Sequence, residues 1–186
     1  MKHPRTLIRE AVKERLVAQL PAIDPRISAN RISIHRSTPL FAAKLPAILI
    51  YTRDERIEDQ PNADPGLRYR KLELSVEIIA SGDAAAEEAD VLAQAVEATL
   101  DADETLGLLV EGTRLTRTEV DQGGEGDTPV LAARLSFEVS YWTRPVADDS
   151  ALPLQVLYSW APRIGIPHEP DYQPIQSSLP TPEVTP

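Results

Sequence analysis

The sequence predicts an α+β fold: a mostly antiparallel sheet with two helices packed on one face, plus an extended Pro-rich C-terminal arm. Three observations predict it. Four stretches alternate with the period of a strand, a fifth is a short, nearly unbroken apolar run, and only two repeat with the period of a helix. Their order is α β β β α β β, without the regular βαβ alternation or Gly-rich phosphate loop of a parallel nucleotide-binding fold. Nine of the chain's 17 prolines fall in residues 144–186, where they oppose helices and central strands.

The first helix is expected to begin at Pro4, a permitted first-turn residue, and to bury a stripe of Ile8, Val12, Leu16 and Leu20 with Arg9, Lys13 and Glu14 outside. Pro21 ends it. A short strand follows in "NRISIHR" (30–36), then a loop from Thr38 to Pro46, then "PAILIYT". The nearly unbroken apolar run of this last segment predicts burial on both faces and a central place in the sheet. The charged, turn-rich stretch from Arg53 to Gly66 reads as a loop. In "RKLELSVEIIA", Leu72, Leu74, Val76 and Ile78 share one face of a long strand, and Glu73, Ser75 and Glu77 the other.

The second helix lies in "SGDAAAEEADVLAQAVEATL", with Ser81 or Asp83 as its cap and Ala85, Ala89, Leu92, Val96 and Leu100 as its buried stripe. A further short helical turn is expected between Asp101 and Val110. The last pair of strands forms a hairpin: "GTRLTRTEVD", a flexible connection, and "VLAARLSFEVSYWT" with Leu131, Ala133, Leu135, Phe137, Val139 and Tyr141 on one face.

A length of 186 residues suits one domain over residues 1–143 and an appendage over 144–186. The chain has no cysteine, so disulfides, thiolate metal sites and a Cys nucleophile are excluded. Its longest apolar runs are far below the roughly 20 residues needed to span a bilayer, and no apolar region follows the N-terminal charges as in a signal peptide. The protein is therefore expected in the cytoplasm that makes it. A net charge of -10 argues against a dedicated nucleic-acid binder.

Candidate chemistry is sparse. His3, His35 and His168 are too far apart for a local metal motif, and a lone strand-end histidine such as His35 is more often a surface residue than a base. Ser136 and Ser140 fall on the exposed face of a strand with no activating partner in view. The acidic groups "DERIED" and "EEAD" read as solvated faces before metal ligands. The tip formed by Gly123, Gly124, Glu125, Gly126 and Asp127 joins two strands and carries acids, unlike a phosphate loop, and is read as a mobile hairpin tip able to meet a partner. No catalytic residue, cofactor or metal is expected, and a binding or structural module is favoured over an enzyme.

The order of elements resembles the tail-terminator (tail-completion, minor tail) proteins of long-tailed bacteriophages. The resemblance is carried by "MKHPRTLIREAVKERL", "LPAILIYTRDERIE", "LELSVEIIASG" and "DETLGLLVEGTRLTRTE" through "RLSFEVSYWT", within residues 1–143. It implies a structural virion protein forming a hexameric ring on the head-proximal end of the tail tube. Such a ring stops tube polymerisation and offers a surface for head-tail joining. The implied partners are further copies of the chain, the tail tube protein, the head-completion or connector proteins and, in a contractile tail, the sheath. DNA would pass through the lumen without specific binding, and acids lining it would repel phosphates.

The arm departs from this compact pattern. Its Leu152, Leu154, Val156, Leu157, Tyr158 and Trp160 are too apolar for an inert linker and are expected to dock on a neighbouring subunit or ring. A head-completion or connector-adaptor protein is the alternative within the same class. A small α+β hydrolase or ligand-binding protein is the alternative from another, and it would need a concave pocket with convergent polar groups.

Overall fold

The structure, a computed structural model, describes residues 2–35, 40–58, 66–123, 130–144, 157–158, 166–171 and 173–174. The chain divides into two compact units, Met1–Pro145 and Val146–Pro186.

In the first unit, α1 spans Pro4–Gln19. The ring Nδ1 of His3 caps it by accepting from the Arg5 amide at 3.2 Å, and Pro4 takes the first-turn position where a missing N–H costs nothing. Ile8, Val12, Leu16 and Leu20 are fully buried. Pro21 does not stop the chain at once, because a 3-10 turn over Leu20–Ala22 carries Leu20 into the core first.

Strand β1 is only Ile32–Ile34 and runs parallel to β2, Ala47–Glu58. It is shorter than the sequence pattern suggested because His35 takes a left-handed conformation, φ 47°, that ends the strand. β3 spans Arg68–Ser81, α2 Ala85–Asp101, β4 Gly112–Gly123 and β5 Val130–Thr143. The five strands form one sheet in the order β1-β2-β3-β5-β4, antiparallel throughout except for the β1-β2 pair.

Three local expectations are corrected. Residues 53–58 are strand, not loop: a bulge between Thr52 and Glu55 lets β2 continue, and pairing to Arg70 and Tyr69 absorbs its charged residues into the sheet. Neither Ser81 nor Asp83 caps α2. The cap residue is Ala84, and Gly82 at φ 106° makes the sharp turn out of β3 that a side-chain-bearing residue would strain. The segment after α2 is a non-helical turn in which Leu106, Gly107 and Leu108 all have positive φ. It is built around Asp103, whose carboxylate accepts from Arg15 at 2.6 Å, Thr105 Oγ1 at 2.8 Å and the Gly107 amide at 2.8 Å.

Both helices contribute to one core. Across the sheet, Leu72 faces Val139, Leu74 faces Phe137, Val76 faces Leu135 and Ile78 faces Ala133. All eight are buried together with the α1 stripe and with Ala89, Leu92, Val96 and Leu100 of α2. Each fully buried large aliphatic side chain contributes roughly 1.5–3 kcal/mol, so this side of the sheet dominates stability. The small residues Ala85 and Ala89 let α2 begin close against the strands.

In the second unit, β6 (Leu157–Tyr158) pairs with β7 (Gln173–Pro174), and a 3-10 segment covers Ile166–Asp171.

Candidate assembly surface

The other face of the sheet has no helix over it among the described residues, and it is polar. Register places its side chains in rows across the strands. Leu49, Glu77, Arg134 and Glu119 form one row, Tyr51, Ser75, Ser136 and Arg117 the next, and Glu73 and Glu138 align with Arg114. Arg134 stands directly between Glu77 and Glu119, and Arg114 opposite Glu138, the arrangement in which a cross-strand pair is favourable, whereas Glu73 opposite Glu138 is a like-charge pair that the surrounding cations offset.

Glu77 receives both Arg53 and Arg134, and Glu119 receives both Arg117 and Arg134. Glu138 stands 3.6 Å from Arg56, 3.7 Å from Lys71 and 3.6 Å from Arg114. At those separations it is a shared counter-charge rather than a hydrogen-bond partner. Lys71 also reaches Glu58 at 3.2 Å, and this hydrogen bond is the main cause that holds its ammonium above the usual lysine range. Between these side chains lies a shallow groove of about 480 Å³, lined by residues including Arg53, Arg56, Glu73, Arg117 and Arg134.

Beneath the charges Ser75 is fully buried and Ser136 nearly so. Ser136 was expected on an exposed face; it does lie on the helix-free face, but long neighbouring side chains cover it. The Ser140 hydroxyl lies 3.4 Å from the Gly112 carbonyl. Among the described residues neither serine has a hydrogen-bonded histidine or carboxylate that could activate it.

The sheet has two edges, the short β1 and the long β4; β4 is the edge beside the charged rows. It carries Arg114, Arg117, Glu119 and Asp121, and a bulge between Leu115 and Arg117 breaks its register. Charges and a bulge on an edge strand discourage another strand from adding to it. Contacts through the charged face are thus easier here than strand addition at the β4 edge.

Where β2, β3 and β5 end, a second polar group lies on the helix side. Glu55 accepts from Arg70 Nη1 at 2.6 Å and from the Tyr141 hydroxyl, and Arg70 Nε donates to Thr143 Oγ1 at 2.7 Å. Burial, then the Glu55 hydrogen bond, raise the Tyr141 phenol above its ordinary value. Charged residues in a stretch read as loop concealed this group. Its only sequence signal is that Arg70 and Tyr141 continue the alternations ending in Leu72 and Val139.

Arg9 also differs from its expected place on the outside of α1. It is 9% exposed; Nη1 donates to Thr52 Oγ1 at 2.6 Å and Nη2 to Thr6 Oγ1 at 3.2 Å. Burial, then neighbouring Arg5, lower its pKa. His35 lies nearby, edge-on to Tyr51 with ring centroids 5.9 Å apart. Burial and then the Arg9 charge hold its imidazole below the usual histidine range.

Among the described residues no group of three or more His, Asp or Glu could hold a metal ion, and no helix is long and apolar enough to cross a membrane. Gly123 is the last residue of β4, whereas Gly124, Glu125, Gly126 and Asp127 lie outside the described residues. Of the arm residues, Leu157 and Tyr158 form β6, and Leu152, Leu154, Val156 and Trp160 lie outside the described residues.

No protein-family model and no curated protein matches the chain. Among solved structures, a chain from the virion of a native gene transfer agent (GTA) particle is similar at 16% identity and a TM-score of 0.46. The match covers 71% of this chain and 93% of that one. A likeness at that score assigns no role.

Proposed function

We propose that this protein is a structural virion subunit, not an enzyme, that forms a hexameric ring capping the head-proximal end of a phage tail tube. The ring terminates tube growth and presents the surface to which the head joins. The observation that carries the assembly part of this reading is the helix-free sheet face. It holds paired charges in place of an apolar core, and its β4 edge is guarded against strand addition. Exposed ion pairs contribute little to folding, with a median of about 0–1 kcal/mol, so so many on one face are better accounted for as a surface that selects a partner by charge. The tail assignment is supported by the order α β β β α β β and by the stretches that resemble tail-terminator proteins.

Electron microscopy of particles made without the protein tests the reading. Termination predicts abnormally long tubes. Tubes of normal length detached from filled heads would instead assign a joining role and overturn termination.

A further inference from the structure

Arg9 is a buried cation. Of the five N–H groups on its guanidinium, two are directed to threonine hydroxyls, and the buried Nε has no acceptor. Among the described residues no carboxylate forms an ion pair with it. A buried charge held by neutral hydroxyls alone is costly, and an outside carboxylate that reached it would offset part of that cost. Arg5 adds a second cation beside it, and His35 adds a ring N–H able to meet a carboxylate. Arg5 directs its side chain to the His3 ring, not to an acid, and Arg5 and His35 are both exposed.

The opposite imbalance lies on α2. Every charged residue from Asp83 to Glu111 is acidic. Glu88 is paired with Arg26 and Asp103 with Arg15, whereas Glu87, Asp90, Glu97 and Asp101 have no ion pair among the described residues. Their spacing of three, seven and four puts them on one face of the helix, where Val91 is also exposed. Acids at the start of a helix suit its dipole, but Asp101 at the end opposes it, and the last turn has no basic residue to offset this.

We propose that the carboxylate stripe on α2 of one copy docks on Arg9, Arg5 and His35 of a second copy. The two patches belong to different parts of the same chain, so the contact can repeat head-to-tail and close into a ring; a two-fold dimer would need both patches to meet at once across its axis. The inference rests on the ring reading above and names the partner surfaces within it. It assigns the α2 acids to a subunit contact rather than to the lumen.

Sedimentation velocity of the full chain over a range of concentration and salt tests it, with melting temperatures measured in parallel. Arg9→Met, and separately the triple variant Glu87→Gln, Asp90→Asn, Glu97→Gln, are each expected to weaken association at least tenfold. Arg9→Met should melt at the wild-type temperature or above, because a similar apolar volume replaces an unpaired charge. Rising salt should dissociate the wild type.

Wild-type assembly unchanged in both variants overturns this inference and leaves the ring reading standing. A wild type that is monomeric throughout overturns both. Loss in Arg9→Met but not in the triple variant shows that the acid comes from elsewhere and overturns the α2 assignment. If Arg9→Met melts lower, Arg5→Glu decides in its place: Arg5 is exposed, so its association should fall with no change in melting, and an unchanged association overturns the proposal.

Discussion

The two faces of β3 differ in what they do for the molecule, although they alternate residue by residue along one strand. Leu72, Leu74, Val76 and Ile78 enter the core beneath the helices, while Lys71, Glu73 and Glu77 join the charged rows on the other side. One face holds the fold together through burial, which is non-directional and roughly proportional to the apolar area removed from water. The other holds opposite charges close together in water, where each pair adds little stability but fixes which charges may approach. A sheet covered on one side only can thus keep its salt-sensitive charge pairs apart from the residues that fold it.

The comparison breaks most sharply at the core. Phe137→Ala removes a side chain that is 1% exposed and should cost about 3–5 kcal/mol in urea unfolding. A loss as small as that of a surface substitution would mean that the helix side is not the stabilising face.

Next comes the polar group at the sheet end, which mixes the two characters. Arg70→Met would leave Glu55 without its cation. The two side chains retain 18% and 12% exposure, so the expected loss is about 2 kcal/mol, below that of a wholly buried pair. Arg70→Lys should restore only part of it, since an ammonium cannot serve both Glu55 and Thr143 with the planar fork of a guanidinium.

A gain is expected at Leu108, which is 89% exposed at φ 65°. Leu108→Gly relieves a left-handed backbone at the expense of a looser unfolded chain and should stabilise the monomer by about 0.5–1 kcal/mol. A destabilisation on thermal melting would show that the exposed leucine is held by contacts the monomer alone does not reveal.

The smallest effects belong to the charged face. Glu138→Gln should change monomer stability by less than about 0.5 kcal/mol yet alter the salt dependence of self-association. A large loss of stability would remove the distinction between the faces.

Asp103 supplies a pH test of the turn after α2. Its hydrogen bond from Arg15, followed by that from Thr105, holds its carboxyl below the ordinary value of 3.8. A folded pKa below the unfolded one means that the stabilisation is fully present above the unfolded value and is lost as pH falls through the folded one. Amide-exchange protection at Gly107, whose N–H donates to Asp103, should therefore weaken as pH falls below 3.8. Asp103→Asn should flatten that dependence.

The long alternations and the helical repeats were legible in the sequence because each reports directly which side of an element meets water. They were enough for the α+β class, the helix stripes of Ile8 to Leu20 and Ala85 to Leu100, and the β4-β5 hairpin. The stretch Arg53–Glu58 was not legible, because charged residues read as loop until partners across a sheet neutralise them. Arg9 was misplaced for a related reason: helical spacing alone puts it at the border of the apolar stripe, and only the approach of Thr52 on β2 gives a buried guanidinium an acceptor.

By itself, then, the sequence determined the elements and their inward faces, because apolar periodicity is a local property of the chain. Only the tertiary structure decided which charges stand opposite one another on the helix-free face, which carboxylate Tyr141 and Arg70 share, and that Arg9 is buried against threonine hydroxyls with no ion pair among the described residues. Those outcomes depend on register between strands distant in sequence, and no local pattern encodes the identity of a cross-strand neighbour.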